Sequence, residues 1–303
     1  MPDTNATQEG YASFGEFRTR FRVVGQNRSR RPLLYIHDGP GYGHEYLWPL
    51  EAMRSTGRQV VFYDQLGCGG SALPDDGIEW SVGLFLEELA AVREAAQLSH
   101  CHLLGHGWGG MLALEYALSG ASGLESLVLS STVASVPLWR IQLAQLMDAL
   151  PEAIRAPLQQ YRASGSLDSP PCRCIVDAFL RRHLCRMNPW PDCLERSVAE
   201  AHAHPEAATA LLGPCELEPS AGLAEWDLSA RLGEIDLPTL VMSGRHDLAP
   251  PPASAQLYQG IPGSEWVVFE HSAHVPHLEE PLRYLEVLDG FLGKHEAAPR
   301  QRA

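Results

Sequence analysis

Gly105-His106-Gly107-Trp108-Gly109-Gly110 is the stretch on which the reading of this chain turns. A short apolar strand, Cys101 to Leu104, runs into it, and a mostly apolar helix, Trp108 to Leu118, runs out of it. A strand, a tight glycine turn and a helix make the setting of a nucleophile elbow, written G-x-S-x-G. The glycines permit the strained turn and let the helix approach closely. At the third position, where the motif carries serine, stands Gly107. Glycine-rich turns also cradle phosphates, so the surrounding chain has to decide between the two.

Working outward, the flanks read as alternating strands and helices. Glu16 to Val24 alternates around Phe17, Phe21 and Val23 as a strand does, and Pro32 to His37 fits a buried strand. The latter empties into the glycine-rich run from His37 to His44. Such a loop lies at the carboxyl end of a strand, where open α/β sheets bind ligands. Gln59 to Asp64 reads as another buried strand, Ser81 to Leu98 as an amphipathic helix and Leu124 to Ser130 as the strand after the elbow helix. From about Ser135 to Trp226 strand signals vanish and helical periodicity appears in Ile141 to Leu150 and Cys174 to Leu184, with Pro170-Pro171, Pro189 and Pro191 as breaks. The α/β pattern resumes with strands at Pro238 to Ser243 and Glu265 to Phe269 and helices at Pro252 to Gln259 and Pro281 to Leu292. A loop carrying His271, His274 and His277 precedes the closing helix, and the polar tail from His295 reads as disordered. The predicted architecture is α/β: an α/β-hydrolase fold, a mostly parallel sheet with a helical cap inserted before the acid-bearing strand. Residues 1–134 and 227–303 form the core, and 135–226 the cap.

Composition narrows the function. With 45% hydrophobic residues the chain can bury a large core, and no apolar run reaches membrane-spanning length. A net charge of −14 argues against nucleic acid or an anionic membrane as partner. The N-terminal ten residues are polar, without a signal-peptide core. Seven scattered cysteines read as free thiols in a reducing cytoplasm, and Cys172-x-Cys174 reads as a surface turn with the wrong spacing for zinc. Neither a metal nor an organic cofactor is implied, and nothing sets an oligomeric state.

An elbow in mid-chain, an acid just after a later strand and a histidine near the end follow the α/β-hydrolase order. Asp247 closes Gly244-Arg245-His246-Asp247 just past a strand end, and His274 lies between the last strand and last helix. The roles would be His274 as general base and Asp247 as the carboxylate that fixes its tautomer. Asp247 in a turn, or His271 or His277 in place of His274, remain alternatives on the residues alone.

Several motifs resemble the proline iminopeptidase family of α/β-hydrolases, which includes the tricorn-interacting aminopeptidases and related amino-acid amidases. His37-Asp38-Gly39-Pro40-Gly41 followed by His44-Glu45-Tyr46-Leu47 resembles H-G-G-P-G…H-D-Y-L. Phe62 to Gly69 is similar to Y-D-Q-x-G-x-G, and His106 to Gly110 stands where the family has x-S-W-G-G. The likeness spans about Tyr11 to Leu292, including Trp226-Asp227. It implies His274 and Asp247 as catalytic residues, Gly107 as the nucleophile position without its serine, and the backbone amides of Gly39 and Trp108 as an oxyanion hole. It also implies Glu216, in Gly213-Pro214-Cys215-Glu216, as the carboxylate that binds a substrate amine. The place of a second amine-binding acid holds Leu248.

Two departures stand out. Gly107 lacks the nucleophile, and its space is expected to admit a water or a substrate oxygen beside His274. Asp38 replaces a glycine of the oxyanion loop and brings a carboxylate to the site, there to contact substrate or to cap its own turn. Three readings follow. One is an enzyme acting on a small amine- or amide-bearing molecule or short peptide through the His274/Asp247 dyad and oxyanion hole, without an acyl-enzyme, by hydrolysis or by lyase- or isomerase-like proton transfer. The second is an ordinary aminopeptidase or amidase inactivated by a Ser-to-Gly change. The third is a non-catalytic binding protein that reuses the pocket.

Overall fold

The computed structural model describes residues 7–26, 29–71, 77–166, 169–215 and 217–296. The core strands are β1 (Thr7–Phe14), β2 (Phe17–Val24), β3 (Leu33–Ile36), β4 (Val60–Tyr63), β5 (Cys101–His106), β6 (Leu124–Ser130), β7 (Thr239–Gly244) and β8 (Glu265–Phe269). They form one sheet in the order β1-β2-β4-β3-β5-β6-β7-β8. From β4 to β8 all neighbours are parallel, and β1 and β2 add an antiparallel edge. Leu-Leu-Tyr-Ile of β3 and Val-Val-Phe-Tyr of β4 are buried throughout, as strands covered on both faces must be. Among the described residues no helix is long and apolar enough to cross a membrane.

Helices α1 (Val82–Ala95) and α2 (Trp108–Leu118) belong to the core. Ser81 caps α1 by accepting a hydrogen bond from the Leu84 amide. The middle segment supplies α3 (Val136–Asp148), α4 (Glu152–Ala163), α5 (Pro170–His183), α6 (Asp192–Ala203) and α7 (Glu206–Leu211). At its neck Ser135 and Asp227 pair as an isolated bridge, and Ser135 Oγ donates to Asp227 Oδ2 at 2.9 Å. Helices α8 (Pro251–Gly260), α9 (Pro276–Glu279) and α10 (Pro281–Lys294) complete the core.

The structure corrects several readings. The N-terminal run holds β1, a strand the sequence conceals because it lies at the sheet edge and buries only Ala12, leaving no apolar alternation to read. Pro170-Pro171 opens α5 rather than breaking a helix, since a first-turn proline loses no hydrogen bond. Cys172 and Cys174 therefore lie on that helix, the first buried and the second exposed, not in a surface turn. Among the described residues no disulfide joins the cysteines. His277 lies in the short α9, not in a loop. Glu296, within the predicted disordered tail, accepts the Arg31 amide and pairs with the buried Arg58 at 2.8 Å. Residues 297–303 of that tail lie outside the described residues.

One core group predicts a pH effect. Glu88 of α1 is fully buried and hydrogen-bonded to Thr19. Burial pushes its carboxyl up to about 8. Between the ordinary carboxyl value and about 8 the folded chain holds a proton that the unfolded chain has lost, so stability falls as pH rises through that window. The slope from this group is about 1.4 kcal/mol per pH unit. Glu88→Gln is expected to flatten the decline in urea-unfolding free energy between pH 5 and 8. An unchanged decline would contradict it.

Candidate active site

The elbow forms where β5 meets α2. Gly107 has φ 54° and ψ −120°, a left-handed backbone that glycine adopts most readily. Gly109 brings α2 against β3 so closely that an added Cβ would lie 2.2 Å from the Ile36 carbonyl oxygen.

Three side chains meet in front of this turn. His274, on the loop between β8 and α9, is buried. Its Nδ1 donates to Asp247 Oδ1 at 2.7 Å, and its Nε2 donates to Asp38 Oδ2 at 2.9 Å. Asp247, fully buried after β7, also accepts the Ala249 amide at 2.8 Å. Asp38, in the loop after β3, turns its second oxygen to the backbone of the elbow, where Oδ1 accepts the Trp108 amide at 2.7 Å. A Cβ placed on Gly107 would stand 2.0 Å from Asp38 Oδ1 and 2.2 Å from its Cγ. The Asp38 carboxylate thus occupies the volume of the missing side chain.

This overturns two expectations. The space at Gly107 is filled by the chain itself rather than left for water or substrate. The Trp108 amide, half of the expected oxyanion hole, already serves an anion of the protein. Gly39, the other half, lines the same cavity. Asp38 does not cap its own turn; it reaches across to the elbow and to His274.

The charges reinforce one another. Burial alone would push the His274 imidazole down, but the charge and hydrogen bond of Asp247, with those of Asp38, outweigh it and hold His274 well above the ordinary histidine range. Burial would push the Asp38 carboxyl up, but hydrogen bonding to His274 and its charge outweigh that and hold it below the carboxylate range. These directions favour an imidazolium at His274, held between Asp38 and Asp247.

Two neutral histidines brace Asp38. Its backbone amide donates to the Tyr46 hydroxyl at 2.8 Å, which donates to His106 Nδ1 at 2.9 Å. His106 Nε2 in turn donates to the His274 carbonyl oxygen at 2.8 Å. His37 Nδ1 donates to the Asp38 carbonyl oxygen at 2.6 Å, while its Nε2 accepts the Gln65 amide. Burial, foremost, pushes both imidazoles down to about 4. The end of α5 and the residue after it hold the other loops: the Leu184 carbonyl accepts the His274 amide, and the His183 carbonyl accepts the Leu248 amide.

Sequence reasoning missed His106, Tyr46 and His183. His106 left one signal, a titratable residue on a strand with no exposed position. The rivals separate: His271 is exposed, and His277 packs among Tyr46, His106 and Tyr284.

The cavity over Asp38 is walled largely by apolar groups, among them Val133, Trp139, Leu143, Phe179, Leu184 and Leu248. Its only charged lining residues among those described are Asp38 and His274. Glu216, the expected amine ligand, lies outside the described residues. Asp38, His106 and His274 offer ligand atoms within 4.8 Å of one another. Both His106 nitrogens are already bonded, so a cation would have to break that brace. The arrangement is that of an ion-paired acid–base site.

A family model described as the alpha/beta hydrolase family matches residues 33–287, and the chain belongs to that family. Within it the similarity is to proline iminopeptidases. The chain is 37% identical over 288 residues to the proline iminopeptidase of Lactobacillus delbrueckii subsp. lactis, covering 94% of this chain and 97% of that one. The crystal structure of a Mycobacterium smegmatis proline iminopeptidase matches with TM-score 0.89 and 35% identity over 95% of this chain and 98% of that one. That of VinJ matches with TM-score 0.91 and 35% identity over 95% and 99%.

Proposed function

We propose that this chain is a hydrolase that acts on a small, apolar-bodied substrate by proton transfer at His274, without an acyl-enzyme on serine. One observation carries the reading: the Asp38 carboxylate fills the side-chain volume at Gly107 and accepts the His274 Nε2 proton. A proline iminopeptidase that had merely lost its serine would keep a vacant site there, whereas here a charged group is bonded to both the base and the elbow amide. A pure binding pocket has no use for a buried imidazolium between two carboxylates, which is costly to desolvate unless every partner is in place. The relatives' name speaks for hydrolysis as the reaction. An amine on the substrate would rest on Glu216, since the described walls offer it no free carboxylate.

The test is a serine-directed fluorophosphonate together with a panel of small esters, amides and epoxides. We expect no stoichiometric label on the unmodified chain, and turnover that falls about 10²–10⁴-fold in His274→Ala, the usual contribution of a positioned acid or base. One label per chain on a serine would overturn the reading.

A further inference from the structure

We propose that Asp38 is the nucleophile of this site and that its substrate is an epoxide on an apolar body, opened through an ester of Asp38 and released as a vicinal diol. The inference rests on the reading above, to which it adds the attacking atom and the substrate class.

Three observations point there. First, Asp38 Oδ1 takes the Trp108 amide that an acyl substrate's carbonyl would need. Acyl transfer at this elbow therefore competes with the chain's own carboxylate. An attack by Oδ2 on saturated carbon does not, because it leaves Oδ1 where it is. The ester so formed has Oδ1 as its carbonyl oxygen, already on the donor that stabilises the next, tetrahedral step. Second, the described cavity walls are largely apolar, with Tyr42, Ser131 and Thr132 as neutral polar members, and carry no charge beyond the ion pair itself, which suits a neutral electrophile. Third, Ser131 lines the cavity with a fully buried hydroxyl that has no hydrogen-bond partner among the described residues. It is held at φ 52°, a strained conformation for serine and one that gathers at functional sites. A hydroxyl there can donate to an opening epoxide oxygen. A halide would want N–H donors, but the Trp108 and Trp139 indoles are bonded to Gln65 and to the Leu248 carbonyl.

The protons balance. Asp38 Oδ2 attacks an epoxide carbon, the strained C–O bond breaks, and the departing oxygen takes the Nε2 proton of His274. With Asp38 esterified, His274 has lost one of its two carboxylate partners and stays neutral. It then removes a proton from water as the water oxygen bonds to the Asp38 carbonyl carbon. The tetrahedral centre collapses, and the bond from Asp38 carbon to the substrate-linked oxygen breaks. That alkoxide takes the proton left on the former water oxygen. The diol leaves with Asp38 again a carboxylate and His274 again an imidazolium.

The test is a single turnover of styrene oxide and of 1,2-epoxyhexane by excess unmodified protein in ¹⁸O water. Expected are an unlabelled first diol and one ¹⁸O in the peptide bearing Asp38. In folded His274→Gln, which lacks both the acid of the first step and the base of the second, the epoxide adduct on Asp38 is expected to form slowly and, once formed, to persist. A labelled diol with unlabelled Asp38 would mean direct attack by water and would overturn the proposal. So would the absence of both diol and Asp38 adduct with either epoxide. If His274-dependent turnover of the esters or amides persists in that case, with no serine label, the broader reading stands and only this inference falls.

Discussion

Gly107→Ser alone is expected to yield no reactive serine, whereas Gly107→Ser combined with Asp38→Gly is expected to yield one that a fluorophosphonate labels to one equivalent. The single variant drives a Cβ to 2.0 Å from Asp38 Oδ1, and the hydroxyl would compete with a carboxylate for the same imidazole proton. His274 would also stay protonated, unable to take the serine proton, while Asp38 faces it. Removing Asp38 clears the volume, frees the Trp108 amide and lowers the His274 pKa in one step. Nucleophile and base act as a unit whose loss costs about 10⁶ in turnover in a serine protease of another fold. A labelling rate at least about 10³-fold above either single variant is therefore expected, a conservative share of that factor. The single variant is also expected to lose about 1–3 kcal/mol from overpacking, part of which the double variant regains. Equal labelling of single and double variants would mean that Asp38 does not hold the site.

Asp38→Asn is expected to abolish turnover while leaving the fold intact. The amide keeps the shape and can still accept the Trp108 N–H through its oxygen, but it is neither nucleophile nor counter-ion. Loss of a positioned catalytic group costs about 10²–10⁴-fold, and more where the group also forms the covalent bond. The pH behaviour should change with it. A histidine with raised pKa contributes stability that is full below the ordinary histidine value and is lost as pH rises through the raised one. A carboxylate with lowered pKa contributes stability that is present above the ordinary carboxylate value and is lost as pH falls through the lowered one. The pair therefore spans neutral pH. In Asp38→Asn the His274 share is expected to disappear at lower pH than in the unmodified chain. Wild-type turnover in this variant, measured on any substrate the unmodified protein converts, would contradict the assignment.

What the sequence discloses and what it hides follow from locality. The elbow is legible because strand, glycine and helix are contiguous, and the helix from Trp108 to Leu118 and the strand from Leu124 to Ser130 lie where the apolar pattern puts them. The parallel core is legible because buried strands are continuous apolar runs. The edge strand β1 is not, because it buries too little to leave a pattern. Asp38 was visible as a departure, but its direction was not. A carboxylate in a glycine-rich loop caps a turn as readily as it enters a site. Only the close approach of α2 to β3 brings it to the Trp108 amide, 70 residues on, and to His274, 236 residues on. The brace through Tyr46 and His106 links the loops of Asp38 and His274 by way of a 3-10 helix and the end of β5, and has no local signature. Ser131 reads as one more serine in a Ser-Ser-Thr run until its backbone is seen.

The most direct measurement is the ¹⁵N spectrum of the His274 ring at pH 8, assigned by comparison with His274→Gln. With Asp38 seated at the elbow as an ion-pair partner, both ring nitrogens carry protons at that pH, and Asp38→Asn returns the ring to a single protonated nitrogen. A wild-type His274 that is neutral at pH 8, with a spectrum unchanged by Asp38→Asn, would contradict the carboxylate–imidazolium–carboxylate site.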